Sequence, residues 1–170
     1  MIILKYAFLF VSGLVLSLLI YPFFHESGHA LALMLFNEEI LNVELFPVPN
    51  VLCEITDITN GVSFFVIGFA GEVLPLVITF AIWYKGFWGW YFKISIRLIC
   101  LLSFLVSLIS MRFYKTIIAF QQDDIINIIS NFPQYTFVCT VVLIFLSAIT
   151  VFLIVNDLKQ FNVKKIYLKF

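Results

Sequence analysis

YAFLFVSGLVLSLLIYPFFHESGHALALMLF, residues Tyr6 to Phe36, is a run of 31 residues broken by only three ionisable side chains, His25, Glu26 and His29. An α-helix needs about 20 residues to cross the hydrocarbon of a bilayer. The stretch therefore reads as one long spanning helix kinked near Pro22, or as a span followed by a second short helix. Pro22 removes a backbone donor and its ring crowds the preceding turn, which favours a break there.

The rest of the chain repeats the pattern. Of its 170 residues 63% are hydrophobic and 12% are charged, against about 25% charged for a soluble domain. The excess apolar surface calls for lipid as solvent. Further spans are expected over residues 62–84, 94–111 and 135–155, making an all-α polytopic protein with about four membrane helices. Residues 1–170 form a single membrane domain, ending in a short basic tail over 156–170. The aromatic-rich segment from Lys85 to Lys93 reads as an interfacial belt, and Arg97 as a cation that snorkels from a span end.

Between the first two spans the composition changes. Residues 37–60 carry Glu38, Glu39, Glu44, Glu54 and Asp57 and no base. Val43 and Leu45 alternate with Asn42 and Glu44, the period of a half-buried strand. Val51 to Ile58 is a second β-like run, and Pro47 to Asn50 supplies a turn. A small surface hairpin over about residues 40–58 is the expectation.

Lys and Arg in the connecting segments set orientation in a membrane. Four spans put Lys5, Lys85, Lys93, Arg97, Lys159, Lys164, Lys165 and Lys169 on one face, and Arg112 and Lys115 on the other. The rule puts both termini of this multi-pass protein in the cytoplasm; a cell membrane of prokaryotic type is the expected setting. The acidic hairpin and the Asp123–Asp124 segment then share the opposite face. A net charge of zero argues against a nucleic-acid partner. Cys53, Cys100 and Cys139 are widely spaced and form no C-x-x-C pair, so they read as small apolar residues.

Chemistry concentrates in His25-Glu26-Ser27-Gly28-His29. Positions i and i+4 of a helix share a face, so two imidazoles can reach one metal ion while the intervening Glu polarises a bound water. The chain has two histidines, and both lie in this motif. Zinc usually takes three protein ligands and a water in a catalytic site, so the third ligand here must be a carboxylate. Asp124 and Asp123 approach from the same side as the histidines, with Asp124 ahead. It opens the run D-I-I-N-I-I, whose Ile125, Ile128 and Ile129 would hold a helix on the bundle. Glu72, in mid-span, is the weaker candidate. Hydrogen-bonded histidines between helices and a solvated Asp helix cap are the plainer alternatives. The glycines at 61, 68 and 71 and Pro75 form one stripe of the second span, and Gly28 and Ala32 one of the first, suited to close packing in lipid.

The segment Phe24 to Ala32, F-H-E-S-G-H-A-L-A, resembles the zinc-helix signature of the site-2 protease family of intramembrane metalloproteases. Gly68-Phe69-Ala70-Gly71 and the apolar run from Asp124 to Pro133 are similar to segments of its compact branch, which lacks a PDZ domain. The family's usual Leu-Asp-Gly and Asn-Pro-type motifs are absent. The resemblance implies a zinc cofactor held by His25, His29 and an Asp, with Glu26 catalytic. It also implies a β-hairpin or sheet that engages an extended membrane protein or peptide substrate. Two other readings compete: an inactive relative that binds a membrane protein, and a small transporter or ion-binding protein centred on Glu72.

Overall fold

A computed structural model of the chain describes residues 2–44, 49–54, 61–82, 87–118 and 123–160. The described chain is mainly helical. Helix α1 spans Ile2–Phe36. A two-stranded antiparallel hairpin follows, β1 (Glu39–Glu44) and β2 (Asn50–Glu54). Then come α2 (Gly61–Ala81), α3 (Phe87–Phe113), the short α4 (Asp124–Asn131), a 3₁₀ turn (Pro133–Tyr135) and α5 (Thr136–Gln160). Among the described residues, three helices are long and apolar enough to cross a membrane: α2, most of α3, and α5 with its leading turn.

Helix α1 runs unbroken through Pro22, so the first apolar stretch is one helix rather than two. It ends at Asn37, whose φ of 57° lies in the left-handed region. The Glu38 N–H bonds the Leu33 carbonyl at 3.0 Å, and the Asn37 N–H bonds that of Met34 at 3.3 Å. This paired closure turns the chain out of the helix and straight into β1. A shift in register between Ile40 and Asn42 bends the strand. Ile40, Val51 and Cys53 then lie on Ala32, Leu33 and Ile67, so the hairpin rests on α1 and α2. The turn residues Pro47 and Val48 and the expected strand residues 55–58 fall outside the described residues, as does the tail beyond 160.

The close approach of α1 to α2 depends on glycine. A Cβ at Gly28 would collide with the backbone of Ala70 and Gly71, and one at Gly68 with the Ile128 side chain of α4. Helix α4 has only eight residues, too few to be stable alone. Its stability comes from burial of Ile125, Ile126, Ile128 and Ile129, at about 1.5–3 kcal/mol for each such side chain withdrawn from water.

One expectation for the third helix fails. Arg97 does not snorkel: it is 1% exposed and forms an ion pair with Asp157 of α5. Its Nε donates to Thr79 Oγ1 at 3.0 Å, while Lys93 reaches the other Asp157 oxygen at 3.3 Å. Helix α3 begins at Phe87, within the aromatic segment. Tyr91 is buried against Gly13 of α1, and Trp90 donates its indole N–H to the Asp157 carbonyl at 3.1 Å. Arg97 stays inside because Asp157 offers it a partner within the bundle.

Candidate metal centre

Helix α1 carries His25 and His29 one turn apart, and α4 delivers a carboxylate to both. Asp124 Oδ2 lies 3.0 Å from His25 Nε2 and 3.2 Å from His29 Nε2, and the two Nε2 atoms are 3.1 Å apart. Among the described residues these three form the one cluster of His, Cys, Asp or Glu that can hold a metal ion. Ligands about 2.0–2.1 Å from a tetrahedral zinc lie about 3.3 Å from one another. The triangle is within a few tenths of an ångström of that size.

The protonation pattern points the same way. His29 Nδ1 lies 2.8 Å from the Ile67 carbonyl. A carbonyl only accepts, so Nδ1 carries the proton, and in the neutral ring Nε2 presents a lone pair. A backbone carbonyl behind the ring is the usual device that orients a metal-binding histidine. Gly71 makes room for it, because a Cβ there would collide with the imidazole. His25 Nδ1 is buried and has no hydrogen-bond partner among the described residues. Burial works to raise the Asp124 carboxyl, but when the two rings are protonated, as they can be without a metal, their hydrogen bonds and charge outweigh it and hold the group well below the ordinary carboxylate range.

The neighbouring Asp123 does something else. Its Oδ1 accepts the Ile125 N–H at 2.9 Å and caps α4, while its Oδ2 accepts the Ser107 hydroxyl at 2.9 Å. Both oxygens are thereby engaged away from the histidines, and burial raises the group's pKa against those bonds. Asp123 fixes the first turn of α4, from which Asp124 projects. Glu72 stands apart from the triangle. It is 4% exposed, and its two oxygens accept from Ser103 Oγ at 3.0 Å and Tyr21 Oη at 3.4 Å.

Glu26 lines the same cleft, a cavity of about 510 Å³ bounded also by His25, His29, Asp124, Val51 and Asn127. That volume is within the usual range for a small-molecule or peptide site. Glu26 Oε2 accepts the backbone N–H of Val51 on β2 at 2.9 Å. Sequence reasoning missed the Ile67 carbonyl and the Val51 amide, and could not have found them, because backbone groups leave no residue signature. No family model, curated protein or solved structure matches the chain.

Proposed function

We propose that the chain is a zinc-dependent intramembrane endopeptidase of the site-2 protease type, with α1 as a fourth span and both termini cytoplasmic. One observation carries this reading. Three acceptor atoms, His25 Nε2, His29 Nε2 and Asp124 Oδ2, converge within 3.2 Å of one another. A single proton on His25 satisfies only one such contact at a time, whereas a dication satisfies all three.

Zinc held there would act as a Lewis acid and lower the pKa of its water to about 7. The chain's own groups would supply the rest. His29, locked by Ile67, and Asp124, positioned by the Asp123 cap, keep their lone pairs aimed at one point. Glu26 takes a proton from the attacking water and returns it to the departing amine. The cleft admits an extended segment beside β2, whose edge strand suits β-augmentation by a substrate unwound from its membrane helix. Partners are therefore a membrane protein or peptide substrate and the bilayer.

Glu26→Gln is expected to retain zinc and to lower cleavage of a membrane-anchored reporter by about 10²–10⁴-fold, the usual contribution of a general base. Undiminished cleavage in this variant would sink the catalytic assignment. Bound zinc without cleavage in the unsubstituted chain would instead favour a silent binding relative. The transporter reading has less support, since the Glu72 oxygens are engaged by the hydroxyls of Ser103 and Tyr21.

A further inference from the structure

The Glu26 carboxylate, the residue best placed to act as base, bonds to an edge strand. Its Oε2 takes the Val51 N–H at 2.9 Å. Val51 pairs with Val43 in the β1–β2 register and Cys53 with Ile40. In a regular strand alternate residues turn their backbone groups to the same edge. The groups of Val51 and Cys53 thus face away from β1, on the edge that borders the cleft with His25, His29 and Asp124. Both residues also anchor the hairpin through their side chains, packed on Ala32, Leu33 and Ile67. The edge is held at a fixed position over the base.

We propose that the Val51 amide is a positioning group shared between Glu26 and a substrate strand: it holds Glu26 while the β2 edge is unpaired, and passes to a substrate carbonyl when an extended segment adds to that edge. One N–H serves one strong acceptor at a time. Strand addition gives it a carbonyl and releases the carboxylate oxygen toward the cleft, where the attacking water lies. The base is then freed by the arrival of an extended peptide. This inference rests on the hydrolytic reading for its purpose, but the hydrogen-bond exchange itself can be measured without catalysis.

The test uses the full zinc-loaded chain in lipid nanodiscs and follows amide hydrogen exchange at Val51 and Cys53. In Glu26→Ala the Val51 amide should exchange about tenfold faster or more, as loss of a charge-assisted hydrogen bond implies. An end-blocked octapeptide rich in Val and Thr should restore its protection and slow Cys53 as well. The same peptide N-methylated at every second residue should do so in only one of the two phases. Equal Val51 exchange in the unsubstituted chain and Glu26→Ala overturns the proposal, as does equal protection by both methylated phases.

A second variant reads the same exchange through turnover. Val51→Pro removes the Val51 donor from the edge facing away from β1, where proline is tolerated in a strand. Its preference for the pairing peptide over the methylated one should fall by about tenfold relative to the unsubstituted chain. An unchanged preference counts against the proposal. If the unsubstituted chain cleaves neither peptide, the protease reading fails, and the exchange measurement still decides the hydrogen-bond transfer.

Discussion

Where α2 ends and α3 begins, Asp157 meets the Arg97 guanidinium, and Lys93 and Thr79 complete the set. Toward the other end of the same bundle Asp124 meets two imidazoles. Both clusters put a carboxylate against nitrogen inside an apolar protein. The first is closed: two cations share one carboxylate, and guanidinium and ammonium donors saturate its oxygens. The second is open, with three acceptors facing one another beside a cleft and one donor hydrogen at most among neutral rings. Saturated clusters hold helices together, whereas a convergence of lone pairs is open to a proton or a cation. Position in the bundle does not separate structure from chemistry here; the balance of donors and acceptors does.

The sharpest way to break this comparison is to remove one member from each cluster and count metal. His29→Ala should take the purified chain from about one zinc per molecule to none measurable by elemental analysis, and abolish cleavage, because a catalytic site needs its three protein ligands. Asp157→Ala should retain the full zinc complement. Equal zinc loss in both variants would erase the distinction.

Stability should respond in the opposite order. Asp157→Ala leaves a buried guanidinium without its partner, which costs about 3–5 kcal/mol. Denaturant titration in detergent would register it. Replacing both partners, Arg97→Met with Asp157→Leu, should recover most of that loss, since an apolar pair of similar volume is often as stable. Failure of the double variant to recover would mean that the ion pair has a role beyond holding α3 to α5.

A smaller effect is expected behind the candidate metal site. Gly71→Ala pushes the His29 ring off its Ile67 carbonyl, and disturbing such a supporting contact typically lowers metal affinity by about 10–100-fold. Competition with a zinc chelator would measure it. The smallest effect is in acid. The folded Asp124 carboxyl lies below its ordinary range, so its contribution is complete above about pH 4 and is lost as pH falls further. Thermal midpoints of the metal-stripped chain and of Asp124→Asn should therefore differ near pH 5 and draw together only as the pH falls below about 4 toward the folded pKa.

These contrasts also explain what was legible in the sequence. The helical spacing of His25 and His29 is a side-chain pattern, and so are the long apolar runs that mark α2, α3 and α5. The alternation around Val43 pointed to the hairpin. The choice between Asp123 and Asp124 turned on a property no pattern carries, namely which of two adjacent carboxylates faces down as a cap and which faces the histidines. The Arg97–Asp157 pair joins residues 60 positions apart, and Asp157 sits in what read as the start of a polar tail. A lone cation near a span end then looked free to snorkel. The two backbone groups that aim His29 and Glu26 were invisible for a simpler reason, since every residue has them.

Helix α4 packs on α2, α3 and α5, and it reaches α1 through the contacts of Asp124 with the two histidines. An ion held between them would be a covalent-like staple across 95 positions of chain. In the loop-closure account, a cross-link over a loop of that length lowers the freedom of the unfolded chain by the equivalent of about 4–5 kcal/mol. The order of assembly follows. Helices α1 and α4 must already be side by side, through α2 and α3, before an ion has three ligands to join, so on the zinc reading loading would come last and clasp a bundle already gathered.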